Sequence, residues 1–188
     1  MQLVTNLLSL ALVATSTWAS PLVGRQSDLQ LYQLQVSSPG HDTIDGQYLV
    51  ANGTDIGVML DSQTPVQVYT TPSSKEGGLL ELHTYPVGIV DHAIGLHGPP
   101  GLMNMVDLAN PKGKTTDDDN VVNVWDTFRL VEEKLTNDGT GKWYAFPTQR
   151  GGYVVKWYDG SIGITDDYTP VEIIMEGIAK ANYNNRPN

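Results

Sequence analysis

His41, His83, His92 and His97 are the chain's four imidazoles and the natural starting point for acid–base, nucleophilic or metal chemistry. His83, the pair Asp91-His92, and His97 follow one another closely, so two or three imidazoles with a carboxylate could meet at one ion or one hydrolytic site. The spacing opposes this. No H-E-x-x-H helix motif occurs, and a hairpin over residues 87–97 would put His92 at its turn and His97 near its far end. Unrelated histidines are the favoured reading, and no metal is expected. A serine hydrolase would need an activated nucleophile, yet no G-x-S-x-G elbow exists, Ser161 follows Gly160 in a turn signal, and cysteine is absent. Asp117-Asp118-Asp119 offers oxygen ligands for calcium, but adjacent carboxylates on an extended chain diverge and no EF-hand loop surrounds them. Glycoside hydrolysis needs two carboxylates held across a cleft. Glu81, Glu132, Glu133, Glu172 and Glu176 show no pairing by spacing, and Glu132-Glu133 are neighbours that point to opposite faces. No catalytic residue and no cofactor are therefore assigned. A hidden hydrolase would require at least two of Asp91, His92, His97, Asp126 and Glu132 to converge in one pocket.

The aromatic residues carry more. Trp143, Tyr144, Tyr153, Trp157 and Tyr158 fall within sixteen positions. Strand alternation puts Tyr153, Val155 and Trp157 on one face and Val154, Lys156 and Tyr158 on the other. One face must be core. The other, near Asp159 and the Gly151-Gly152 bend, has the aromatic and polar mixture that stacks on sugar rings or packs on a partner protein. Trp and Tyr are also ordinary core residues of β-proteins. Tyr158, Trp157, Lys156, Tyr144 and Trp143 are the candidate ligand-binding residues.

The elements that would position them read as strands from Asp28 onward: short apolar or alternating runs separated by turn residues. In Gln30 to Val36, Tyr32, Leu34 and Val36 alternate with Gln33 and Gln35. Similar runs recur at 47–51, 56–60, 66–70, 79–85, 87–90, 93–97, 102–108, 121–125, 127–131, 143–146, 153–158 and 161–165. Asp45-Gly46, Asn52-Gly53, Asp138-Gly139 and Asp159-Gly160 supply the positive φ of tight hairpins. Val171 to Ala179 fits either a helical stripe or a closing strand after Pro170. His97 to Gly101 and Asn110 to Asn120 are expected as loops, and the polar tail 182–188 as poorly ordered.

About a dozen short strands suit a closed barrel of three hairpin units or a two-sheet sandwich. Phe128-Arg129-Leu130, the turn 136–141, Trp143-Tyr144-Ala145-Phe146 and Tyr153 to Gly160 resemble one unit of a β-trefoil, and Gly46 to Gly53 could open another. The expectation is a single all-β domain over 26–181, β-trefoil-like, with a β-sandwich as the alternative. A middle unit is not evident in the sequence.

The first 19 residues contain no charged side chain, and Leu7 to Ala14 forms an apolar core of signal-peptide length, too short to anchor in a bilayer. Thr17 and Ala19 bracket Trp18 in an A-x-A-like site, predicting cleavage after Ala19. Ser20 to Arg25 then resembles the short pro-segments of proteins secreted by filamentous fungi, which are trimmed after a basic residue. Acidic residues number 21 against 11 basic, a net charge of −10. Such a balance opposes binding to nucleic acid or to anionic membranes. With no cysteine to form disulfides, an exported chain relies on one hydrophobic core. Asn52-Gly53-Thr54 is the sole N-glycosylation sequon, at a turn signal.

The reading that results is a secreted, non-catalytic binding protein acting outside the cell on cell-wall or other glycans. The alternatives are a protease inhibitor inserting a loop such as His97 to Gly101, a small extracellular hydrolase, and a structural or antigenic surface protein without a small ligand.

Overall fold

Apolar residues at alternate positions, punctuated by Gly turns, produce thirteen strands in the computed structural model, which describes residues 28–113 and 120–181. The expected signal peptide, the pro-segment 20–25, the run Asp117–Asp119 and the tail 182–188 lie outside the described residues. In chain order the strands are β1 (Leu29–Ser37), β2 (Val50–Asn52), β3 (Asp55–Val58), β4 (Gln67–Pro72), β5 (Leu80–Tyr85), β6 (His92–Gly98) and β7 (Leu102–Ala109). After a single 3₁₀ turn at Pro111–Gly113 come β8 (Val122–Val124), β9 (Phe128–Val131), β10 (Lys134–Asn137), β11 (Lys142–Pro147), β12 (Tyr153–Tyr158) and β13 (Thr169–Ala181). Among the described residues no helix is long and apolar enough to cross a membrane.

Every pairing is antiparallel, and the ladder closes. Following β1, β4, β5, β6, β7, β3, β12, β11 and β13 returns to β1, a nine-stranded barrel. Closure excludes the two-sheet sandwich and leaves few open sheet edges. A shorter circuit runs β1, β4, β5, β9, β10, β13 and back to β1. The hairpins β2–β3, β6–β7 and β11–β12 branch from it, and their second strands β3, β7 and β12 pair with one another. The chain thus falls into three successive stretches, β1–β4, β5–β9 and β10–β13. In each, the first strand pairs with the last: Tyr32 with Val68, Leu80 with Phe128, Leu135 with Ile173. Gly46 to Gly53 lies within the first stretch and contributes β2, the first strand of its hairpin. Phe128-Arg129-Leu130 closes the second stretch, so the third begins only at Lys134.

Several local expectations change. Residues 87–90 and 161–165 form loops, and β10 takes in Thr136 and Asn137, the first two residues read as a turn. The reason is the turn between β9 and β10: Val131 pairs with Lys134 across a two-residue loop of Glu132 (φ 50°) and Glu133 (φ 66°). Both residues are left-handed, a conformation usually given to Asn-Gly, so the hairpin carries no recognisable signal. The segment 171–179 is strand, paired with β1 from Glu172 onward apart from Ile178, and with β11 at Val171. Along β1 the ladder shifts between Leu31 and Tyr32, with Ile178 the extra residue on β13, while Tyr32 stays in step with Leu34 and Val36 against the core.

The core joins inward residues of every stretch: Leu34, Val36, Leu49, Ile56, Val68, Leu82, Ile94, Met105, Phe128, Leu135, Val155 and Ile173. At its third-stretch end Trp143 stacks on Phe128 (6.5 Å between centroids) and meets Trp157 edge-on (4.9 Å). The Trp143 indole N–H donates to the Leu135 carbonyl at 2.6 Å, satisfying the polar atom of an otherwise apolar ring.

Candidate functional site

Alternation along β11 and β12 sorts the five candidate residues into two groups that face opposite ways. Trp143 and Trp157, only 4% and 3% exposed, face the core. Their edges floor a hollow of about 460 Å³, walled by Ser38, His41, Lys142 and the Lys134–Glu172 ion pair (2.9 Å). The two candidate indoles are thus nearly enclosed, and what they present outside the core is part of the lining of this hollow. Gly141 lets Trp157 lie there, since a Cβ at 141 would come within 2.5 Å of the indole.

Tyr144, Lys156 and Tyr158 point outward. Tyr144 pairs across the ladder with Lys156, and the Tyr144 and Tyr158 rings meet edge to face at 5.6 Å. Two residues join them that were not singled out beforehand. Phe146 shares the outward parity of Tyr144, and Tyr168 arrives from the loop before β13 to lie 4.5 Å from Phe146 and 6.4 Å from Tyr144. The parity of Phe146 is legible from alternation; the arrival of Tyr168 depends on the 159–168 loop folding back, which spacing does not reveal. That loop is pinned where the Tyr158 hydroxyl donates to the Ile162 carbonyl.

Lys156 sits under this aromatic layer, its Nζ 4.8 Å from the Phe146 ring centre and 5.6 Å from that of Tyr168. Burial holds its ammonium below the usual lysine range, against the opposing pull of the Asp55 charge. The same burial, with the charge of Asp167, pushes the Tyr168 phenol up. Lys156 is thus a packed cation that organises the rings, and it lines neither hollow.

The outward pair Tyr144 and Tyr158 floors a depression of about 210 Å³ ringed by Thr140, Gly141, Lys142, Asp159 and Gly160. Asp159 accepts from the Ser161 side chain and from its backbone N–H (2.8 Å), which hold its carboxyl below the usual range. A fixed anion, a lysine and two tyrosines therefore surround one shallow space. Gly141 and Lys142 also belong to the larger hollow, so the two spaces adjoin.

The histidines disperse as expected. His97 contacts Asn123 at 2.8 Å and His92 contacts Asp107 at 2.9 Å. Asp126 pairs with Lys75 at 2.7 Å, and Glu132 caps a hairpin. Asp91 and His92, two of the five residues named for a hidden hydrolase, line one hollow of about 520 Å³, with their side chains turned to different partners, His83 and Asp107. Within it, Asp91 reaches His83 Nδ1 (2.8 Å) while Glu81 reaches His83 Nε2 (3.0 Å), and Tyr69 stacks on the imidazole. Among the described residues no group of three His, Cys, Asp or Glu could hold a metal ion. Of the segment 97–101 expected as a loop, His97 and Gly98 end β6; Pro99 and Pro100 are exposed, Gly98 and Gly101 are buried, and the Gly101 carbonyl accepts from Asp159 N–H (3.1 Å). Asn52 is exposed at the β2–β3 turn, its Nδ2 3.2 Å from Asp61.

No protein-family model, no curated protein and no solved structure matches the chain.

Proposed function

We propose that this is an extracellular glycan-binding protein without catalytic activity, its three-stretch strand plan being that of a β-trefoil. The observation that carries the reading is the depression between Tyr144 and Tyr158, where aromatic carbon lies beside Lys142 and the ionised Asp159. Sugars present apolar C–H faces and hydroxyl edges at once. Aromatic rings take the former and fixed charged or hydroxyl groups the latter. The volume, about 210 Å³, suits a single pyranose ring, and the adjoining hollow beyond Lys142 gives a chain of sugars room to continue. The signal peptide expected from the apolar N-terminus and the sequon at Asn52 accord with a role outside the cell.

The test is saturable binding of the purified mature protein to a glycan array and to insoluble chitin and β-glucan. Tyr158→Ala and Asp159→Asn should abolish it, whereas Trp157→Ala acts on the core and serves as a stability control. Binding that survives Tyr158→Ala in a folded protein, or no binding to any glycan, overturns the proposal.

A further inference from the structure

Residues 86–91, Pro-Val-Gly-Ile-Val-Asp, join β5 to β6 and are unlike the other connections. Ile89 is the most exposed large apolar residue among those described, at 108% of its reference surface, and Val90 beside it is also exposed. Val87, Gly88, Ile89 and Val90 make no backbone hydrogen bond with any other described residue. A hollow of about 520 Å³ separates the loop from the barrel, so the segment stands off the surface.

Both ends are nevertheless held. On the entry side Tyr85 is paired with Gln67 in β4, and Pro86 restricts the backbone where the strand ends. On the exit side the Asp91 carboxylate reaches the buried His83, and its carbonyl accepts from Asn110 N–H at 2.7 Å. His83 is itself backed by Glu81, 5% exposed, and by the Tyr69 ring. A bare aliphatic side chain and a free peptide edge are thus offered on a short segment whose ends are fixed by buried polar contacts. Fixing a loop in its bound shape removes ordering entropy from association.

We infer that the 86–91 loop binds the substrate cleft of an endopeptidase with an apolar primary pocket, Ile89 entering that pocket and the loop acting as an inhibitor. The chemistry selects this partner. Unpaired N–H and C=O groups flanking one side chain match a cleft that pairs with extended peptide backbone and sorts one residue by shape. An anionic lipid surface is disfavoured by the net charge of −10, and a flat protein face would leave the peptide edge unpaired. The site is on β5–β6, away from the Tyr144–Tyr158 depression, and shares no residue with it.

The test titrates the purified mature protein into three secreted endopeptidases, selective for aliphatic, aromatic and basic residues. Inhibition of the aliphatic-selective enzyme is expected. Ile89→Asp should raise its inhibition constant about 100-fold or more, since an apolar pocket rejects a charge. Ile89→Val should retain inhibition, and Ile89→Arg should transfer it to the basic-selective enzyme. Because Ile89 touches solvent, circular dichroism of these variants should match the parent. No inhibition at large molar excess, equal inhibition by Ile89→Asp, or rapid cleavage after Ile89 without inhibition overturns the inference. So does a concentration-dependent dimer lost in Ile89→Asp, which would make the occupant a second copy. Glycan binding, unaffected by any of these variants, separates this outcome from that of the first proposal.

Discussion

Replacing His83 by Leu tests the polar network beneath the 86–91 loop. Both ring nitrogens of His83 lie against carboxylate oxygens, Glu81 at 3.0 Å and Asp91 at 2.8 Å. Each ring nitrogen therefore has its own hydrogen-bond partner. His83→Leu keeps an apolar body against Tyr69 but leaves the buried Glu81 carboxylate with the Thr71 hydroxyl, 3.2 Å away, as its remaining partner. Removing one member of a buried ionic pair costs about 3–5 kcal/mol, mostly through the charge left behind. The Asp91 side chain, 45% exposed, rehydrates and adds little. At roughly 2–4 °C per kcal/mol for a domain of this size, the melting temperature should fall by about 10 °C.

The double variant Glu81→Leu/His83→Leu removes the stranded charge as well, leaving the Thr71 hydroxyl unpaired. It should sit within about 2 kcal/mol of the parent. Thermal and urea unfolding followed by circular dichroism measure both, and limited proteolysis should cut 86–91 faster in each, because Asp91 has lost its anchor. A single variant that melts within about 2 °C of the parent refutes the reasoning. A double variant as unstable as the single one does so too, for the cost would then be packing rather than charge.

Gly57→Ala should destabilise by about 3 kcal/mol, since its Cβ would lie 1.9 Å from the Tyr153 carbonyl oxygen where β3 meets β12. Gly53→Ala, at φ 62° in open space, should cost only about 1 kcal/mol by the same melts. Trp143→Ala should cost about 3–5 kcal/mol and Tyr144→Ala about 1 kcal/mol, because the first empties the core and the second only thins an outer aromatic layer. Lys156, followed by NMR of the methylated protein, should deprotonate at lower pH than an exposed lysine. The sign follows from its lowered folded pKa: its buried charge disfavours folding at neutral pH, so its contribution to stability rises as pH climbs through that value. Lys156→Met should abolish this increment. Expressed through a eukaryotic secretory route, the protein should show a glycosidase-sensitive mobility shift that Asn52→Gln removes; an unshifted parent would refute occupancy.

Much of the architecture is legible in the residues one at a time. Alternation identified β1, β7, β11 and β12, and the Asp-Gly and Asn-Gly pairs marked turns where Gly46, Gly53, Gly139 and Gly160 all adopt positive φ. These are local signals, set by the two-residue pleat and by the absence of a Cβ. Parity also separated Trp157 from Tyr158 before any contact was known. Parity alone does not say which face is core.

Tertiary packing decided the rest. Val87 to Val90 is as apolar as any strand yet finds no partner, because β5 turns directly into β6 and leaves the connection outside the ladder. Thr136 and Asn137 read as the start of a turn yet continue, with the buried Leu135, a strand between β9 and β13 that follows a Glu-Glu turn with no local signature. The meeting of β3, β7 and β12 and the fold-back that brings Tyr168 to Phe146 join residues far apart in the chain. Periodicity reports which way a side chain points from its own strand. What it meets there depends on closure of the barrel, which is a property of all nine barrel strands together.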